Sequence, residues 1–383
     1  LSVMRAQTHA DYLEALRGWG TPSINHVYAD TSGSIGWQAV GATPIRPNWN
    51  GLVPVPGDGR YEWAGYRNLE ELPSSVNPEK GFVATANEMN LPQSWNHASP
   101  GIGYEWIDHS RADRIKAALG TGEKLGLKEC CALQHDHFSR TAARNCAVLA
   151  RADLSGTGAR AAQAHLAGWD HVLAPTSSPA ALYEVWVTRH LFPALARAFG
   201  AEGAFAALLL PGDVQSVTDV LERPGAWFDS NPEEQLEALL DSTLATAWDD
   251  CRARLGDDPA GWQWGAVHKL ALTHPLAPVC PDVAAFNPAP LALGGSGSSV
   301  AMAAYRPSDF AAVVGPSVRM VIDVGGWDNS LFVNTPGQSG DPASVHYGDL
   351  QQDWLNGGYK PLAYSRAAVD AVTGSLIVLE PAA

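Results

Sequence analysis

The feature that most constrains this chain is a change of hydrophobic period along its length. Up to residue 109 the apolar residues fall into short β-type runs broken by Gly, Pro and Asn. From 110 to 255 they recur at helical spacing, and after Pro275 β-type runs return. An order of β, then α, then β places both β parts in one sheet system, with the helical part inserted or laid over it. The expectation is an α+β fold made of a sheet-forming part at 1–120, an α-rich segment at 121–290, and returning strands with a C-terminal loop at 291–383.

Local signals refine this. Residues 8–18 read as a helix capped by Thr8, with Asp11 in its first turn and Tyr12, Leu13, Leu16 and Trp19 as its apolar stripe. Residues 24–30 and 35–41, joined by Thr-Ser-Gly-Ser, read as a hairpin. The Pro-, Gly- and Trp-rich stretch 44–79 has no helical period and reads as a long ordered loop. Gly81–Asn87 reads as a strand ending on polar residues. Helices are expected at 110–120, 127–154, 157–169, 178–199 and 232–255, and strands at 317–324, 329–334 and 374–380, with a loop at 335–349.

Composition excludes several classes. The net charge is −15 and no Lys/Arg run occurs, so a nucleic-acid partner is not expected. No run of apolar residues is long enough for a transmembrane helix. The opening residues carry Arg5, His9 and Asp11 and are not a signal peptide. Without an initiator Met, the chain reads as a processed product or a fragment. Its five cysteines have no metal-ligand spacing; one disulfide such as Cys251–Cys280 is compatible with the sequence, as are buried thiols. Fourteen Trp suit aromatic-lined pockets or strand surfaces.

Few local constellations carry chemistry. Gln134-His135-Asp136-His137 invites a metal, but on a continuous helix the two imidazoles would point to different sides. Gln134 falls on that helix's apolar stripe and needs buried partners. The run Gly294–Ser299 lacks the Lys of a phosphate cradle and reads as a flexible turn. His97, His109, His268, His274 and His346 stand singly. Asn87 is different: at a strand end, its amide N–H can face a cleft and stabilise an oxyanion, worth roughly 3–4 kcal/mol; capping the next turn is the other reading. Arg114, on the following helix, can hold a carboxylate or a substrate's polar end, or pair at the surface.

The stretches NHVYADTSGSIGWQAVGATPIR, LVPVPGDGRYEWAGY, NPEKGFVATANEMNLP, SRADRI and GQSGDPASVHYGDLQQDWLNGGYKPL, in this order, resemble the β subunit of penicillin acylases. The helical middle is less distinctive. The resemblance implies an N-terminal-nucleophile hydrolase with an αββα sandwich, here partial and carrying an α-rich insertion. In that family a precursor cleaves itself and the new N-terminal Ser attacks an amide, with its own α-amino group as base. A pKa of about 7.7–8.0 suits that group to the task. Asn87 matches the family's oxyanion-hole Asn, and Arg114, in Ala-Asp-Arg-Ile, matches the Arg that positions nucleophile and substrate. No cofactor is implied for catalysis; a structural calcium is, with Glu105 near one ligand position.

The match begins at Asn25, whereas the family's nucleophilic Ser lies far upstream of the equivalent stretch. Ser2 has no matching context. The resemblance therefore implies that the nucleophile, one backbone oxyanion donor and the α subunit come from upstream segments, and that this chain by itself is inactive. Left alone, such a piece should expose an apolar sheet edge and face. The implied substrate is a small-molecule amide of penicillin, N-acyl homoserine lactone or lipopeptide type, and the implied location is periplasmic or secreted. A non-catalytic scaffold of the same fold is the alternative; an unrelated metallohydrolase is more distant.

Overall fold

A computed structural model describes residues 1–92, 95, 102–104, 106–208, 214–280, 282 and 286–381. The chain opens with helix α1 (His9–Leu16). Thr8 Oγ1 accepts from Asp11 N and Asp11 Oδ2 accepts from Thr8 N, each at 3.1 Å, so the expected cap is a full capping box. Strands β1 (Ile24–Ala29) and β2 (Ile35–Val40) form the expected antiparallel hairpin. Asp30 shapes its turn by accepting from the N–H groups of Ser32 and Ser34. A short strand β3 (Ser74–Val76), inside what reads as a loop, pairs with the free edge of β2. Tyr12 and Leu16 of α1 pack on Val40 of this sheet.

Residues 81–87 do not form the expected strand. β3 already holds the β2 edge, and the segment reaches β1 through a side-chain contact, Asn25 Nδ2 to Thr85 Oγ1 at 3.5 Å. Its β-type residues have no described ladder to join.

The helical part comprises α2 (Ser110–Leu119), α3 (Leu127–Gln134), α4 (Arg140–Leu149), α5 (Thr157–Leu166), α6 (Ser178–Val185), α7 (Phe192–Ala198), α8 (Gly203–Leu208), α9 (Val214–Glu222), α10 (Pro232–Leu255) and α11 (Trp264–Val267). The helix expected over 127–154 is two helices. Asp136 Oδ1 accepts from Phe138 N at 2.8 Å and Ser139 Oγ accepts from Ala142 N at 3.1 Å, so these side chains replace helical bonds with a turn and a new cap. The helix expected over 178–199 is continuous but widens to π geometry at Trp186–Leu191. Pro193, in the next turn, has no N–H to give to the preceding turn, and the widening accommodates it.

The core lies in this helical part. Leu240, Leu244 and Ala247 of α10 are buried against α5, α6 and the π segment. Trp186, Trp262 and Trp264 are fully buried there, and each indole has an acceptor: Thr243 Oγ1, Gly256 O and Gly295 O. These Trp residues serve packing rather than a pocket. All five cysteines are free thiols, so the Cys251–Cys280 bridge is absent; Cys251 is buried within the α10 core.

The later strands are β4 (Lys269–Leu270), β5 (Leu291–Ala292), β6 (Ala304–Tyr305), β7 (Ala311–Val314), β8 (Val318–Val321), β9 (Leu331–Asn334) and β10 (Lys360–Pro361). They form two small sheets, in the orders β5-β4-β7-β6 and β10-β9-β8, with the β4–β7 pair parallel. Helix α12 (Gln351–Leu355) packs on β9, and α13 (Arg366–Val372) follows β10. Among the described residues neither sheet shares a ladder with β1-β2-β3, so the expected single sheet system is three sheets. The mixed helices and sheets are those of an α+β chain.

Residues 374–380 are not a strand; they lie along no described partner, and Leu376 to Leu379 are 68–91% exposed. Around β8, Val318, Met320 and Ile322 share one face by strand alternation and are all exposed, while Arg319 and Val321 face inward and are buried. These are the expected apolar edge and face. The run Gly294–Ser299 is the opposite of a flexible turn: Ser296 and Ser299 are buried. Gly295 has φ +76°, and an added Cβ would meet Ala301 O at 2.4 Å, so glycine is required there.

Candidate active site

Asn87 sits at the tip of a turn rather than at a strand end. Its φ is 69°, a left-handed conformation that Asn tolerates better than most residues. It is exposed, while its neighbours Ala86 and Glu88 are 7% and 1% exposed. Two bonds brace the turn. Glu88 Oε2 accepts from Ala86 N at 2.8 Å, and Asn87 O accepts from Ile107 N at 3.1 Å.

The side chain is oriented by Arg111, whose Nη2 donates to Asn87 Oδ1 at 3.0 Å. A guanidinium can only donate, so the Asn87 atom facing it is the carbonyl oxygen and the NH2 group points away. Arg111 belongs to the buried first turn of α2 and is itself 9% exposed. Burial lowers its pKa, and the charges of Asp108 and Glu88 partly restore it. The arrangement thus presents an amide donor in one fixed orientation beside a buried cation, which is the requirement for stabilising a developing oxyanion.

Arg114 lies on the same helix but points elsewhere. Its Nε bonds Asp136 Oδ2 at 2.6 Å and its guanidinium lies over the Phe138 ring at 4.9 Å. The structure therefore joins Asn87 to Arg111 and gives Arg114 to the turn between α3 and α4. The run Ser-Arg-Ala-Asp-Arg holds both cations, and spacing alone could not say which one turns toward Asn87.

Beside this turn lies a cleft of about 520 Å3 lined by Trp37, Lys80, Glu88, Met89, Asn90 and Lys116. Lys116 Nζ meets Glu88 Oε1 at 2.7 Å. Burial alone would raise the Glu88 carboxyl, but Lys116 and the Ala86 N–H outweigh it and hold the group below its ordinary range.

Gln134, His135, His137, His268 and His346 have structural contacts. His135 and His137 fall beyond the end of α3, so the helical argument for separating them does not apply; their rings meet edge-on at 4.7 Å. His135 Nε2 bonds Leu355 O, and burial pushes His137 down to about 4. Gln134 has partners at both ends, donating to Met320 O and accepting from Tyr359 OH. His268 is buried with Nδ1 on Leu293 O, and His346 pairs with Asp349. Ser2 is exposed at the start of a short 3-10 turn. Among the described residues no three His, Cys, Asp or Glu converge on one point. Glu105 and His97 lie outside the described residues. Among the described residues, no helix is long and apolar enough to cross a membrane.

Comparison with known proteins concerns the chain as a whole. The penicillin amidase family model matches residues 1–371. Acyl-homoserine lactone acylase QuiP of Pseudomonas aeruginosa is 29% identical over 99% of this chain and 49% of its own length. Penicillin acylase 2 proenzyme of a Pseudomonas species is 31% identical over 97% of this chain and 48% of its own. The chain spans about half the length of these relatives. The thermostable penicillin G acylase of Alcaligenes faecalis superposes with a TM-score of 0.67 at 18% identity, covering 100% of this chain and 72% of that one. The match along almost the whole sequence, with the fold of a solved acylase, makes this chain a member of the penicillin amidase family.

Proposed function

We propose that this chain is part of an amidohydrolase that removes an acyl group from an amide by acyl transfer. The observation that carries this is the fixed Asn87 amide, with Oδ1 bound by Arg111 and the NH2 group turned outward. A hydroxyl supplied by another segment adds to the amide carbon, and Asn87 Nδ2 donates to the oxygen as it gains charge. The C–N bond then breaks, the amine leaves with the proton taken from the hydroxyl, and water releases the acid. Arg111 is the positioning residue that sets the amide. Arg114, held by Asp136, supports the helix that carries Arg111.

The relatives support acyl-homoserine lactones and penicillins as substrate classes, with lipopeptide amides a related chemistry. The attacking group, in this reading an N-terminal Ser, and the α subunit belong to partner segments. The exposed face of Val318, Met320 and Ile322 and the apolar run 376–379 support such partners. The expected location is the periplasm or the medium.

The test is Asn87→Ala in the complete enzyme, assayed with a chromogenic phenylacetyl amide and with an acyl-homoserine lactone. The expected result is a fall in kcat of about 10²–10³ with the fold kept. Near-normal turnover removes Asn87 from the mechanism.

A further inference from the structure

Resting on that reading of Asn87, we propose that Glu88 and Lys116 form a positioning pair that holds the Asn87 turn in its left-handed conformation. Neither residue has to touch the substrate for this. The Glu88 carboxylate is divided between two tasks. One oxygen accepts the Ala86 N–H at 2.8 Å, closing the turn from the residue before Asn87 to the residue after it. The other is bound by Lys116 Nζ at 2.7 Å, tying the turn to α2. Arg111, on the same helix, binds the Asn87 side chain. The helix therefore grips both the backbone turn and the amide it displays.

The burial pattern explains why this needs a charge pair. The Glu88 side chain is completely buried, while Lys116 is 37% exposed. A buried carboxylate with one partner removed is costly, so the pair acts as a unit. Asn87 itself is exposed and has a positive φ, a conformation that local energy does not favour. Something outside the residue must impose it, and the Glu88 side chain is one of the groups that bond across the tip. Lys116 and Arg111 from α2 are the charged groups that interact with this carboxylate; Asp108, just ahead of that helix, acts on Arg111, and Lys80 lines the same cleft.

The experiment compares Lys116→Met, Glu88→Gln and Asn87→Ala in the complete enzyme, with kcat, KM and melting temperature measured from pH 4 to 9. Lys116→Met leaves Glu88 buried without its cation, so its carboxyl protonates at higher pH and then donates rather than shares its oxygens. The expected result is an acid limb of kcat displaced upward in pH, with KM little changed. Glu88→Gln keeps the volume but cannot satisfy both donors. It should lower kcat about tenfold, a fraction of the loss expected from removing the oxyanion donor itself. In Glu88→Gln the Lys116→Met substitution should no longer move the acid limb.

An unshifted acid limb in Lys116→Met, or a normal kcat in Glu88→Gln, overturns the proposal. A kcat loss that tracks melting temperature alone, with the pH profile unmoved, also overturns it. If Asn87→Ala retains activity, the oxyanion reading itself fails. If Asn87→Ala is inactive while the other two variants behave as wild type, only the positioning pair is wrong.

Discussion

Arg111 Nη2 donates to Asn87 Oδ1 across 3.0 Å, from a helix 24 residues further along the chain. Because the guanidinium offers no acceptor, this single bond decides which end of the Asn87 amide faces outward. Arg114, one turn later, is bonded to Asp136 at 2.6 Å and has no described bond to Asn87. The two cations of one helix therefore have separate roles, one holding the amide and one holding the following turn.

That separation is testable. Arg111→Lys removes the planar fork that meets the Asn87 oxygen and should lower kcat by at least about tenfold. Arg114→Lys should change kcat less and show mainly as a small loss of thermal stability. Steady-state kinetics on both variants of the complete enzyme check this; an Arg114 effect exceeding the Arg111 effect would reverse the assignment.

The backbone at Asn87 can be separated from its amide. Asn87→Gly keeps the left-handed φ of 69° without strain, while Asn87→Ala keeps the Cβ and loses the polar side chain that lets Asn tolerate this region. Glycine should therefore leave the stability close to wild type, and alanine should lower it by on the order of 1 kcal/mol, read as a lower melting temperature. Both should lose kcat alike, since both lack the donor. Recovery of turnover in the glycine variant would assign the turn's contribution to its backbone.

A buried carboxyl in the helical core makes stability depend on pH. Glu184 accepts from Tyr305 OH, and burial raises its pKa to about 7 despite the help of Tyr305 and Ser296. A raised carboxyl favours the folded state fully below the unfolded value of about 4.3 and loses that advantage as pH climbs toward 7. Glu184→Gln should remove this term, so its melting temperature should gain on wild type as pH rises from 5 to 8. On the acid side the loss should persist in both proteins. His137 and His268 are pushed by burial to about 4, so their contribution disappears as pH falls from about 6.5 toward 4. Parallel melting curves for the two proteins between pH 5 and 7 would contradict the Glu184 assignment.

The middle of α10 should be the most sensitive part of the core. Leu240 is fully buried among α10, α5 and the π segment. Leu240→Ala should cost about 3 kcal/mol, from lost burial and the cavity left behind. Chemical denaturation monitored by Trp fluorescence would measure it, because Trp186 lies in the same core.

Sequence by itself determined the features whose energy is stored within a few residues. The Thr8–Asp11 capping box, the hairpin at 24–40 and the helical period of α2, α5 and α10 are all local, and each stands where it reads. The five ordered stretches also carried the family, because each is a local run of residue types that is read without the fold. Asn87 was legible as an amide open to a cleft, but at the end of a strand that does not form.

Tertiary structure decided what depends on partners distant in sequence. Residues 81–87 and 374–380 have β-type composition, but a strand exists only where another edge bonds to it, and no described edge does. Helix 127–154 broke because Asp136 is drawn to Arg114 and to its own backbone at once. The choice of Arg111 over Arg114 rests on which guanidinium is carried to the Asn87 turn when α2 docks. Residues three apart on one helix have the same local energetics, so only the packed neighbour distinguishes them.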